Sequence, residues 1–492
     1  MNTALQKTVL HKTFSSLGNH NYRLFFFSQL VSFSGTWMQL LGLSWLVLEL
    51  TGRGSALGAV MAAQFLPTLL LAPLGGVVAD RFDKRLLLIW TQSVAAALAV
   101  VLGVLTVTGV IEVWMIYTLA LGFGLVTAVD NPSRHTFVLE MVGPSEITNA
   151  VTLNSVVVNA ARAIGPAIGG LVISSVGIGM CFLLNGASFL VVVGALLALR
   201  TADLVPSKRA VRRPGQLREG FRYAWQDRTL RTTLIILALV GTFTQEFPTT
   251  LPLVSEFTFS AGPGGLATMT TLMGLGAVVG GLATTGIGKA TASALAWSAL
   301  LLGCLVCVAA LMPTLTWFYL LMPPVGALSV AVIALSNARL QLHAIPEFRG
   351  RVMALFSVAL LGSTPIGGPI VGWASDAVDP RFSLLIGGVA SLAAGTYGWI
   401  TCRSDKRSGQ ESTGVGDLPE LGRLGEAEDD FGTGHPGGHA PQPECTARGV
   451  GVAAEHVLVQ QLDEPGIGHA AVGGGELRSV DEVGGDRSNG LR

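Results

Sequence analysis

The decapeptide Gly76-Val-Val-Ala-Asp80-Arg81-Phe-Asp83-Lys84-Arg85 brings two carboxylates and three cations together directly after a long apolar run. At the mouth of a membrane helix, Asp80 could accept hydrogen bonds from a facing helix N-terminus, or pair with Arg81, Arg85 or Arg134. Such a contact would hold two helices together by charge, and breaking it would let them part. The plainer reading is that Arg81, Lys84 and Arg85 only set topology. That accounts for the cations but not for the spacing from Gly76 to Asp80. Asp130 and Glu140 flank Arg134 and read as its ion-pair partners.

Two further ionisable residues stand deep inside apolar runs, where charge is costly and marks function. Arg162 precedes the pair Gly165-Pro166 by three residues and could bind an anionic cargo or answer a carboxylate. Glu246, beside Gln245 and before Pro248, could load and unload a proton during a cycle, or could merely face a wet outer mouth. Trp37 could stack on a cargo and Gln39, Asn154 and Asn159 could hydrogen-bond to it. Residues of these types inside membrane helices also serve as packing, and the sequence leaves both readings open.

The elements that must position these residues follow from composition. Of the 492 residues, 50% are hydrophobic and 13% are charged, against roughly 25% charged in soluble domains. A bilayer core about 30 Å thick calls for about 20 apolar residues per helix. Twelve runs meet that length: 23–50, 56–79, 86–109, 112–131, 148–175, 178–199, 232–256, 264–288, 292–312, 315–338, 352–375 and 382–402. With the N-terminus inside, the inner segments collect 23 Lys and Arg, while the outer loops hold only Arg53 and Arg381. That bias places both termini in the cytoplasm.

Gly165-Pro166-Ala-Ile-Gly169 in the fifth run recurs as Gly368-Pro369-Ile-Val-Gly372 in the eleventh, 203 residues later. The expected fold is therefore an all-α membrane protein, with twelve transmembrane helices in two pseudo-symmetric six-helix halves. The expected parts are a cytoplasmic N-terminus (1–22), an N-terminal bundle (23–199), an inner loop (200–231), a C-terminal bundle (232–402) and a tail (403–492). Within the loop, Leu217, Phe221, Ala224 and Trp225 share one face, which predicts a short helix lying on the membrane interface. Residues 408–492 hold 15 Asp and Glu against five Arg and a single aromatic residue, Phe431, and read as disordered. His435 and His439 lack the spacing of a metal site, and no metal is expected. Cys304 and Cys307 form a CxxC inside an apolar run and read as packing residues. Residues 1–21 are polar and the following run is too long for a cleavable signal. Neither an HExxH nor a GxSxG is present. Gly286-Ile-Gly288-Lys289 misses the phosphate loop because residue 283 is Ala.

The decapeptide resembles the loop between the second and third helices of the major facilitator superfamily: Gly, three residues, Asp, a basic residue, one more, Gly, then two basic residues. Asp83 stands where that family usually has Gly, which resembles its enterobactin-exporter-like branch, the transmembrane secretion effectors. Asn21-Tyr-Arg-Leu-Phe25, Gly35-Thr-Trp37-Met-Gln39, Pro132-Ser-Arg134 and Arg349-Gly-Arg351 resemble that branch too, so the likeness spans about residues 15–402. The matching loop of the second half, 281–289, has lost its Asp. The resemblance implies a proton-driven exporter (antiporter) in a bacterial-type inner membrane, without cofactor or nucleic acid, monomeric, moving siderophores, macrolides or other drugs by alternating access. In that family the decapeptide braces the closed inner side, and the Gly-Pro pattern favours tight helix packing and limits proton leak. Nutrient uptake is the alternative within transporters. A membrane-embedded enzyme or receptor would need a polar cluster within the spans.

Overall fold

The computed structural model describes residues 15–205, 216–286, 290–360 and 363–413. Their side chains are described except at 72, 73, 80, 144, 145, 148, 216, 217, 285, 286 and 404–413. The described chain is helical, and twelve helices are long and apolar enough to cross a membrane. In order they are His20–Thr51, Gly54–Leu71, Lys84–Val107, Val113–Gly143, Asn149–Val176, Ile178–Leu197, Arg228–Thr258, Gly262–Thr284, Ala292–Ala310, Leu315–His343, Pro346–Ala377 and Pro380–Arg403. They are called here the first to twelfth spans. The second continues as helix to Arg81 and the twelfth to Thr413.

Local chemistry sets most of the boundaries. Asn19, Asp83, Asp227 and Thr291 each accept a hydrogen bond from an amide in the first turn that follows, capping the first, third, seventh and ninth spans. Gly52, with φ 62°, ends the first span in the left-handed conformation. Gly143, with φ 72°, breaks what would otherwise be one continuous helix from Val113 to Val176.

Most spans keep the sequence-derived limits within a few residues. The fourth is a larger departure, running to Gly143 rather than 131, because its polar end is still tied into the bundle through Asp130, Arg134 and Glu140. The limit of 402 set for the last span is met within one residue, at Arg403, but the helix runs on into the segment expected to be tail. That helix continues through Thr413, since 403–413 contain no proline to stop it. The disorder expected from there on, with His435 and His439, otherwise falls on residues 414–492, outside the described set.

The predicted loop helix forms over Gln216–Gln226, but its apolar face is divided. Ala224 is buried among Leu230, Leu340 and Val352, whereas Phe221 and Trp225 are exposed and stack on each other at 5.3 Å. Tyr223 stacks on Phe348 at 4.5 Å, and Glu219 pairs with Arg351 at 2.7 Å. The helix is therefore pinned to the start of the eleventh span. Its aromatic pair faces outward, as an interfacial helix requires.

One end of the bundle carries most cations and is called the basic end; the other carries Arg53 and Arg381 and is called the far end. Large apolar side chains such as Leu70, Leu171, Val279 and Leu320 cover the outer surface between them, as a lipid-facing surface requires.

Candidate functional site

The seventh span is not one continuous helix. Its opening segment, Arg228–Leu239, widens into a π turn at Val240–Thr244, stops at Gln245 and Glu246, and resumes as Phe247–Leu253. Pro248 accounts for the stop, because it lacks an amide proton and its ring clashes with the carbonyl four residues earlier. A second π turn follows at Val254–Thr258. Widened and broken turns within membrane helices recur where ligands bind.

The break separates its two polar residues. Gln245 faces a cavity lined by the first, fifth, seventh and eighth spans, together with Trp37, Arg162, Pro166 and Phe247. Its Oε1 accepts a hydrogen bond from Ser329 at 2.9 Å, while its Nε2 is buried without a partner. Glu246 turns away from that cavity. It is 2% exposed, so it does not face a wet mouth. Its carboxyl lies against Gly367 and Gly368 of the eleventh span, where a Cβ added to either glycine would stand 3.2 or 3.5 Å from a carboxyl oxygen. Its Oε1 is buried without a hydrogen-bond partner, and no cation pairs with it among the described residues.

Arg162 stands over the face of Trp37, 4.9 Å from the ring centroid. Its Nε is buried without a hydrogen-bond partner, and no described carboxylate pairs with it. The reading of Arg162 as half of a structural ion pair is therefore not met among the described residues.

Other candidates are placed elsewhere. Gln39 is buried against the sixth span, where its Oε1 accepts a hydrogen bond from Asn185 at 2.8 Å; it does not line the cavity. Asn154 is half-buried and is not among the cavity-lining residues. Asn159 donates to Ser155 of its own helix at 2.9 Å. Gly165 lies so close to Ser34 and Trp37 of the first span that a Cβ would meet them at 2.5 Å, and Gly169 rests on Met38. The related Gly368 and Gly372, around Pro369, instead meet Gly58 and Gly54 of the second span. The two copies of the motif therefore have different partners.

At the basic end Asp83 caps the third span and Lys84 pairs with Glu140 at 2.5 Å. Arg85 donates to the carbonyl of Leu196 at 2.7 Å and to that of Leu197 at 3.2 Å. Arg134 pairs with Asp130, which also accepts from Thr91 at 2.7 Å and Gln92 at 2.8 Å. Gly76 is buried and Arg81 exposed, whereas the Asp80 side chain lies outside the described set. The described pairings of Arg85 and Arg134 thus stay within the first six spans.

Three features were not singled out from the sequence. Arg339 is buried in the tenth span and donates to the Ala290 carbonyl at 3.2 Å. The polar shell around Asp130 draws on residues about 40 positions away. Asp376, at the far end of the eleventh span, caps the second span through the amides of Gly54 and Ser55. The acid beside Ser375 was visible, but the lack of a side-chain cap at Arg53 is the signal that called for it.

A family profile described as "Transmembrane secretion effector" matches residues 11–414. The staphyloferrin A transporter of Staphylococcus aureus is 33% identical over 153 residues, 31% of this chain and only 38% of that protein's length. The multidrug efflux pump Tap of Mycolicibacterium fortuitum is 24% identical over 373 residues, 74% of this chain and 91% of that one. A bacterial homologue of the human lysosomal transporter Spinster, solved inward-facing and unoccupied, superposes with a TM-score of 0.62 at 15% identity. That match covers 78% of this chain and 97% of that one, a likeness of fold.

Proposed function

The chain belongs to the transmembrane secretion effector family of major facilitator superfamily transporters, and on that premise we propose that it is a proton-coupled exporter of small organic molecules. The observation that carries the coupling is the Glu246 carboxyl, sealed at a helix break and left without a cation. Such a group is neutral while it holds a proton and costly to bury once the proton leaves. Gaining or losing that proton therefore changes the energy of the seam between the seventh and eleventh spans. Gln245, one residue away, faces the cavity, so movement of that seam reaches the cargo site through a single turn of backbone.

The positive-inside rule makes the basic end cytoplasmic. In the state described, the far end is drawn together across the halves by Asp376 on Gly54 and by Ser44 donating to the Pro248 carbonyl at 3.1 Å. The described contacts of Arg85 and Arg134 at the basic end stay within one half. Those contacts support a state open toward the cytoplasm, ready to take cargo for export. The efflux activity named for the Mycolicibacterium fortuitum relative supports the outward direction. In the alternate state the halves would close at the basic end, where the Gly76–Arg85 loop would serve as the brace.

The test uses inside-out vesicles carrying the full chain, an imposed proton gradient and a lumenal pH probe. A panel of siderophores and drugs is screened for cargo-dependent proton release, which Glu246→Gln should abolish at least tenfold. Release that is unchanged in Glu246→Gln rejects Glu246 as the carrier.

A further inference from the structure

The cavity is chemically one-sided. Its polar groups without partners are both donors, the Nε of Arg162 and the Nε2 of Gln245. The carboxamide oxygen of Gln245 already accepts from Ser329. The hydroxyls on the wall, Ser44 and Thr270, already give their hydrogens to backbone carbonyls. Glu246, the nearest carboxylate in sequence, has its oxygens against Gly367 and Gly368 instead. Among the described residues no carboxylate lines the cavity.

Arg162 is half-buried with its Nε shut off from solvent, and a guanidinium so placed without an anion is an incomplete pair. Trp37 covers one side of it, and that contact neutralises nothing. Its planar fork suits an oxyanion, and a neighbouring amide donor adds a further hydrogen bond. The rest of the wall is apolar, including Leu40, Leu41, Phe247 and Leu266.

Resting on the transporter reading above, we propose that the cargo is a soluble amphipathic organic anion, its oxyanion held by Arg162 and Gln245 and its apolar body packed on the opposite wall. Lipophilic cations bind poorly, because Arg162 repels them and no described carboxylate lines the cavity to answer them.

Binding in the absence of any proton gradient separates this proposal from the transport reading. The full chain in detergent micelles is dialysed to equilibrium with radiolabelled biphenyl-4-carboxylate, biphenyl-4-carboxamide or biphenyl-4-methylammonium, with empty micelles as blank. The carboxylate should bind at least tenfold tighter than the other two. Arg162→Gln should erase that preference, while Arg162→Lys, which keeps the charge and loses the fork, should weaken binding but keep the order. Equal binding of all three probes, a preference for the ammonium, or no binding of the carboxylate overturns the proposal. So does a carboxylate preference that survives in Arg162→Gln, and so does displacement of the carboxylate by dihexanoyl phosphatidylglycerol alone among soluble anions, which would make the occupant a lipid headgroup. Proton release driven by cationic cargo alongside any of these results would leave the transporter standing and remove only its anion preference.

Discussion

The Asp376 carboxylate closes the N-terminus of a helix that begins 322 residues earlier, accepting from the amide of Gly54 at 2.5 Å and of Ser55 at 2.9 Å. The first amides of a helix have no partner within it, and they carry the positive end of its dipole. Arg53 offers them no side-chain cap. The acid that does so sits in the other half of the molecule, so the cap exists only while the far end is shut.

Asp376→Ala should therefore shift the equilibrium toward opening at the far end. Losing an N-cap and its charge costs about 1–2 kcal/mol, which corresponds to about a five- to thirty-fold change in population. A cysteine placed at Ser55, with the native cysteines replaced, should then react correspondingly faster with an impermeant thiol reagent applied from that side. An unchanged labelling rate would mean the cap holds nothing shut.

Gly367→Ala should damage the seam between the seventh and eleventh spans. The new methyl would stand 3.2 Å from Glu246 Oε1 and overlap the Thr242 carbonyl. Overpacking of that kind costs about 1–3 kcal/mol. Thermal unfolding in detergent should move down, and cargo-driven proton release should fall further than stability alone explains.

Asp130→Ala should be among the most destabilising single changes at the basic end. It removes the partner of Arg134 and strands the donors of Thr91 and Gln92. Leaving a buried cation unpaired costs about 3–5 kcal/mol. Asp130→Asn retains an acceptor oxygen and should recover part of the loss, as read by melting temperature and yield in the membrane.

Lys84→Ala and Glu140→Ala should each cost about 1 kcal/mol, because the pair is partly screened by solvent. The double variant should lose less than the sum of the two. Full additivity in a thermal-stability cycle would mean that the contact contributes nothing.

The span count and most span limits were legible because lipid imposes a length and an apolar composition on each helix, and both can be read along the chain. The rotation of each helix about its axis was not. In water the buried face differs from the exposed one in polarity. In a membrane, Leu41 in the core and Leu70 facing outward are equally apolar, and pattern cannot tell them apart. Gln39 and Trp37 lie two residues apart, and only the fold turns one toward Asn185 and the other toward Arg162. Gln245 and Glu246 are separated in the same way by the break at Pro248. That proline was visible, but its effect on the residues before it depends on where the seventh span meets the eleventh.

The far-end seam runs backbone against backbone, Gly54 on Gly372 and Gly58 on Gly368. The four glycines have no side chains of their own to interlock, although the side chains of Leu253 and Asp376 reach Gly54 and that of Glu246 reaches Gly368. The glycine contact works as a plain bearing rather than a gear. It can part and reseat every cycle without the rotamer search that interlocking side chains would impose, so the speed of this joint is left to its one charged clasp and to the chemistry at Glu246.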